Sequence, residues 1–170
     1  MRLSVYLSIA ICLFFFSCKK EAFRPVEEVE YENSPEMSAF EEEVLDLLNA
    51  ARSKDCRCGD ADYPAVDRLY FNATVDLASE KHVQDMSVNN FISHLGSDGS
   101  TPSERLESVG YKFFFSGENI AEGPKTSEVV IQEFIKSPGH CATIMNENYV
   151  HVGIARLKDY WVLNFAKPRN

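Results

Sequence analysis

The chain has 170 residues and carries 26 acidic against 17 basic side chains, a formal charge of -9. Without a basic stripe there is no counterion-release term to drive phosphate binding, so nucleic acid is excluded as a principal partner. The residues from 36 to 170, about 135 of them, are enough for one domain with a single core, and no internal repeat divides them.

At the N-terminus Arg2 precedes an apolar run from Leu3 to Phe16, short for a bilayer span and followed at once by Ser17-Cys18-Lys19-Lys20. The pattern reads as a bacterial lipoprotein signal over residues 1–17, with Cys18 as the lipidated first residue of the mature chain. Phe15 and Phe16 are bulky for that position, so an uncleaved anchor helix is the alternative. Both readings place the domain in the cell envelope, held to a membrane on its periplasmic or cell-surface face. Loss of residues 1–17 removes one arginine and no acid, which moves the charge from -9 to -10. Residues 18–35, with Glu27, Glu28, Glu30 and Glu32, read as a solvated acidic tether.

Ser34-Pro35 fits the cap and first position of a helix, on which Phe40, Val44, Leu47, Leu48 and Ala51 form an apolar stripe. Asn72 is expected to cap a second helix that places Val75, Ala78, His82 and Met86 on one face and runs to Asn89 or Asn90. Tyr111 to Phe115 reads as a strand. From Thr126 or Ser127 to Lys136 a further capped helix carries Val129, Val130, Phe134 and Ile135, and Pro138-Gly139 is expected to stop it. Val150, Val152 and Ile154 alternate, and Tyr160 to Phe165 returns through a turn at Lys158-Asp159. The class is α+β: a small antiparallel sheet covered by helices.

Three short motifs each hold one group able to bind a metal or move a proton: Asn90-Phe91-Ile92-Ser93-His94, Gly117-Glu118-Asn119-Ile120-Ala121 and Ser137-Pro138-Gly139-His140. Two imidazoles and a carboxylate match the ligand set of an open zinc site, where a fourth position is left for water or ligand. His94 follows the second helix and His140 follows the helix ending at Lys136, so distant parts of the chain would converge. Asn119 is counted with His94, Glu118 and His140 among the cleft residues, in a supporting role: it is expected to orient its neighbour or satisfy backbone groups. His82, on an apolar helix face, and His151, inside a strand, read as packing or surface residues.

With Leu48-Asn49-Ala50-Ala51-Arg52, Ser97-Asp98-Gly99-Ser100, Arg105, Gly110-Tyr111, Ile144-Met145-Asn146, Val152-Gly153-Ile154-Ala155 and Tyr160-Trp161, the order of motifs resembles the CAP superfamily, the SCP or PR-1-like domain, in its compact bacterial form. The match covers roughly Met37 to Phe165. The resemblance implies an α-β-α sandwich with a cleft faced by His94, Glu118 and His140. The family's larger eukaryotic members add a second glutamate, three residues after an aromatic, on the helix before the last histidine. Here Phe134 takes the aromatic position and Ser137 stands where that acid would be, while Glu133 lies on another helical face. Family members bind lipids, glycans, proteins and metals, so membership alone does not fix an activity.

Beyond Cys12 and Cys18, three thiols remain: Cys56, Cys58 and Cys141. An oxidising envelope favours a bridge, and Cys56 and Cys58 are too close to pair easily, so one of them is expected to join Cys141. A Cys141-His140 nucleophile is disfavoured because chain neighbours point apart, and a zinc site built on Cys56, Cys58 and a histidine is an open alternative. Two function classes follow. One is a lipid-tethered binding module whose cleft holds a divalent ion, such as zinc, or a small ligand, and which meets a lipid, glycan or protein. The other is a metal-assisted hydrolase of peptidase or esterase type using His94, Glu118 and His140. If all three groups bind metal no base remains, and if Glu118 is the base only two ligands hold the ion. With no Gly-x-Ser-x-Gly turn and no His-Glu-x-x-His helix, binding is the expected role.

Overall fold

The computed structural model describes residues 37–169; residues 1–36, on which the readings of a leader, a lipidated Cys18 and an acidic tether fall, lie outside them. Helix α1 (Ala39–Arg52) begins at Ser38, whose hydroxyl accepts from the Glu41 amide while the Glu41 carboxylate accepts from the Ser38 amide. This reciprocal cap satisfies two donors that the first helical turn cannot use. The helix therefore starts later than Ser34-Pro35 suggested: Ser38 has a glutamate three residues on, whereas Ser34 has Met37 there.

A hairpin of β1 (Cys56–Cys58) and β2 (Ala61–Tyr63) follows, then the two-residue β3 (Tyr70–Phe71). Asn72 caps α2 (Ala73–Asn89) by accepting from Thr74 and Val75, and Asn90 ends it in the left-handed conformation that asparagine tolerates. Helix α3 (Pro102–Ser108) opens with a second reciprocal cap, Thr101 with Glu104. Then come β4 (Phe113–Glu122), α4 (Ser127–Lys136), α5 (Pro138–Ile144), β5 (His151–Leu157) and β6 (Tyr160–Pro168). Pro138 does more than stop α4. It occupies the first position of α5, where its missing amide proton costs nothing, and so puts His140 in the first turn of a new helix. On α4 the buried residues are Ser127, Val130, Ile131 and Phe134, and Val129 is exposed instead.

Four strands form one sheet in the order β3-β5-β6-β4. Strands β5, β6 and β4 pair antiparallel, with Lys158 at φ 55° in the expected turn, and β3 adds two residues in parallel at the β5 edge. Alternation sends Trp161, Leu163 and Phe165, with Val152 and Ile154, into a core beneath α1, α4 and α5. Val162 and Ala166 pack on the opposite side with Val83 and Met86 of α2 and Leu106 of α3. Because both faces are covered, β6 is buried from Tyr160 to Ala166 and reads as an apolar run interrupted by Asn164 alone, whose Nδ2 donates to the Ser79 hydroxyl. The architecture is the α-β-α sandwich expected from the sequence.

Helix α2 lies so close to the sheet that a Cβ at Gly153 would fall 2.4 Å from the Asp76 amide nitrogen. Glycine is required there, and the contact buries Asp76, whose carboxylate accepts from the Ile154 amide at 2.6 Å. Burial raises the Asp76 pKa from 3.8 to about 7, against the opposing pull of the Ile154 amide. The unfolded chain then loses its proton before the folded chain does. Stability is expected to fall as pH rises from about 4 to about 7 and to level off above that. Asp76→Asn keeps an acceptor for Ile154 and should flatten this dependence in chemical unfolding across that window; parallel curves for the two proteins would rule out Asp76 as its source.

Candidate functional site

Strand β4 supplies the first group of the site, and its alternation decides which layer each residue meets. Glu118 turns toward α3, while its neighbour Asn119 turns toward α5. The Glu118 side chain is only 1% exposed, yet its carboxylate is fully engaged: Arg105 of α3 donates Nη2 to Oε2 at 2.7 Å and His94 donates Nδ1 to Oε1 at 2.8 Å. A buried carboxylate needs such partners, since an unpaired one would cost several kcal/mol, on the order of 3–5. The His94 ring is 53% exposed, and with Nδ1 fixed on Glu118 its Nε2 is left for an outside group.

Arg105 also fixes the loop that carries His94. Its Nη2 donates to the His94 carbonyl at 3.0 Å and its Nη1 to the Ser100 carbonyl at 2.8 Å. His82, buried on α2 and set edge-on against Phe91, closes the other side through a 2.8 Å bond from Nε2 to the Ser93 carbonyl. His82 is therefore a packing residue, as its position on the apolar face suggested, and it also anchors this loop. The bond to Glu118 raises the His94 pKa above its ordinary value, with partial burial and the charge of Arg105 working against it. Burial lowers that of His82. His151 is likewise internal, with Nδ1 2.7 Å from the Tyr111 hydroxyl, and burial lowers its pKa.

His140 enters from the other layer. Its ring stands edge-on to Phe134 at 4.9 Å, and its pKa is lowered by burial and then by the charge of His94. Asn119 ties α5 to the sheet by donating Nδ2 to the His140 carbonyl at 3.1 Å, the supporting role expected of it. Gly117 is demanded by crowding: a Cβ there would sit 2.4 Å from the Tyr149 hydroxyl, which donates to the Ser116 carbonyl. Ser137, in the position of the missing second acid, makes no side-chain bond to the start of α5, and Glu133 is exposed.

The three residues read as zinc ligands thus divide into roles. His94 and Glu118 are brought into contact, but the carboxylate acts as a brace with both oxygens taken, and among the described residues the ligand atoms of His94, Glu118 and His140 do not gather within 4.8 Å. The group that does gather at that distance is Cys56, Cys58 and Cys141. Two of its sulfurs are joined in a Cys58–Cys141 disulfide, which leaves Cys56 as the thiol. That resolves the pairing the sequence left open. A concavity of about 590 Å³ lies along α5 between Tyr63, Thr143, Met145, Asn148 and Tyr149 and excludes the His94–Glu118 pair. The candidate site is placed at the pair, where His94 carries a raised pKa.

An antiparallel sheet sandwiched by helices, with a buried carboxylate bracing an exposed histidine at its edge strand, defines an SCP-type domain. The family description of the cysteine-rich secretory proteins, CAP, matches residues 45–165, and the chain belongs to that family. It is 30% identical over 131 residues to YkwD of Bacillus subtilis, covering 76% of this chain and 48% of that protein. It is also 28% identical over 127 residues to the membrane protein YlbC of the same species, covering 75% and 34%. The chain therefore spans about half or less of the length of these curated relatives. Among solved structures, an extracellular SCP-domain protein from Bacillus anthracis superposes with a TM-score of 0.65 at 23% identity, over 79% of this chain and 45% of that one. An outer surface protein from Borrelia burgdorferi gives 0.61 at 21%, over 75% and 89%. At these identities the likeness shows the fold.

Proposed function

We propose that this chain is a lipid-anchored binding module of the cell envelope, tethered through Cys18 and presenting His94 as the contact group of its cleft. The observation that carries this reading is the engagement of Glu118 by both Arg105 and His94. A carboxylate so paired is neither a free general base nor a free ligand, and Ser137 supplies no second acid. What remains outward is a histidine nitrogen held in register by a carboxylate, the arrangement that braces a metal-bound imidazole from behind. His94 and His140 suit a divalent ion such as zinc, with Glu118 as the support and the remaining positions filled by the ligand. The extracellular and outer-surface nature of the two structural neighbours supports the envelope location, as does the leader. The partner is a lipid, glycan or protein met outside the cytoplasm, and nucleic acid is not among the candidates because the chain is strongly acidic.

The same bond supports a second reading, hydrolysis, in which His94 rather than Glu118 takes up the proton and Glu118 orients the ring. Calorimetric titration of zinc into the full chain separates the outcomes. Binding is expected in the wild type, loss in His94→Ala, and a weakening of about 10–100-fold when the brace is cut in Glu118→Gln. Equal affinity in His94→Ala would remove the metal from the proposal, and zinc-dependent cleavage of a peptide or ester would replace binding with the hydrolytic reading.

A further inference from the structure

Cys56 and Cys58 stand two residues apart on β1, so their side chains leave the same face of the strand. Helix α5 brings Cys141 to that face, and the disulfide joins it to Cys58 across 83 residues of sequence. The Cys56 sulfur lies 3.6 Å from the Cys141 sulfur, and all three sulfurs fall within 4.8 Å of one another. Cys58 is 4% exposed and Cys141 is fully buried, whereas Cys56 is half-buried. The bridge is thus closed to solvent, and among the described residues the sulfur placed against it is that of Cys56. The Cys56 sulfur already stands near the sulfur with which Cys58 is paired.

We propose that Cys56, Cys58 and Cys141 form an internal thiol–disulfide exchange centre that moves the bridge between two positions on β1. The Cys56 thiolate attacks the Cys141 sulfur; the Cys56–Cys141 bond forms as the Cys58–Cys141 bond breaks, and Cys58 leaves as a thiolate that takes up a proton equivalent to the one Cys56 gave up. One bond is made and one is lost, with no net oxidation and no outside reagent. The exchange acts on the start of α5, because Gly59 on the same hairpin packs against Pro138, where an added Cβ would lie 3.0 Å from the ring. Pro138 is two residues from His140. Bridge position and cleft geometry are therefore linked through the first turn of that helix.

The test maps the free thiol in the full chain. After incubation at mildly alkaline pH for hours, the protein is trapped with N-ethylmaleimide, unfolded and cut with trypsin, which cleaves after Arg57 and so separates Cys56 from Cys58. The expected result is label on both cysteines and cross-links from Cys141 to each of them. Label confined to Cys56, with Cys141 linked only to Cys58, overturns the proposal. In Cys56→Ser the Cys58 label should fall about tenfold or more, since exchange has lost its nucleophile. Undiminished Cys58 label there would mean incomplete oxidation rather than exchange, and would also overturn it. Cys58→Ser provides a check that does not depend on the resting ratio: it should form a Cys56–Cys141 bridge, and two persistent thiols would place Cys56 out of reach.

Discussion

Arg105→Met is expected to destabilise the domain by about 3–5 kcal/mol, measured by chemical unfolding, because it takes the buried charged partner from a Glu118 carboxylate that is 1% exposed and leaves it the half-exposed His94 ring alone. The arginine is itself 8% exposed and makes two further hydrogen bonds, to the Ser100 and His94 carbonyls. The double variant Arg105→Met with Glu118→Gln should recover part of the loss, since no buried charge then lacks a partner. A coupling of about 1–3 kcal/mol between the two sites is expected. Purely additive losses would mean that the ion pair is incidental.

The same pair controls the titration of His94, and here the signs differ between variants. Glu118 raises the His94 pKa and Arg105 lowers it, so Glu118→Gln should bring it down and Arg105→Met should move it up. Both shifts are readable from the ring proton in an NMR titration. A histidine whose folded pKa is raised contributes stability that is fully present below its unfolded value of 6.5 and lost as pH rises through the folded value. That contribution is modest for a ring more than half exposed.

The groups of this site were legible in the sequence to the extent that they lay in short motifs. His94, Glu118 and His140 could be named because each sits beside a helix end or a glycine that marks a local turn or close approach. What could not be read was how they divide their roles, because that depends on Arg105. Its helix is announced by the Thr101-Pro102-Ser103-Glu104 cap, but the direction of its side chain is set by packing of α3 against β4, 13 residues away from Glu118 in sequence. His82 shows the same limit. The helical period put it on the inner face of α2, and only the return of the loop past Ser93 gave it a partner. The choice between Cys56 and Cys58 was unreadable for a geometric reason: residues two apart on a strand offer the same face to Cys141. Pro138 misled by its other use, since a proline after a helix suits both an ending and the first position of the next one.

Arg52 makes the second large prediction, and it concerns the frame rather than the site. This side chain is fully buried at the end of α1 and donates to four backbone carbonyls, those of Asp67, Ile144, Asn146 and Tyr149. Asn49, one turn earlier, exchanges two hydrogen bonds with the Leu69 backbone. Together they clamp the segment before β3 and the end of α5, neither of which has a strand ladder to satisfy those groups. Burial lowers the Arg52 pKa to about 10, with Asp67 opposing, so the guanidinium remains charged at neutral pH. Arg52→Met would leave several buried acceptors without donors and is expected to cost about 3–5 kcal/mol. Arg52→Lys keeps the charge but cannot span acceptors on two sides, and should cost about half as much. Chemical unfolding of the three proteins tests this ordering. A methionine variant within about 1 kcal/mol of wild type would show that water satisfies these carbonyls and that the clamp is dispensable. If the ordering holds, the loss should be accompanied by faster hydrogen exchange in α5, because the arginine ties the end of that helix to α1, whereas Asn49 continues to hold Leu69.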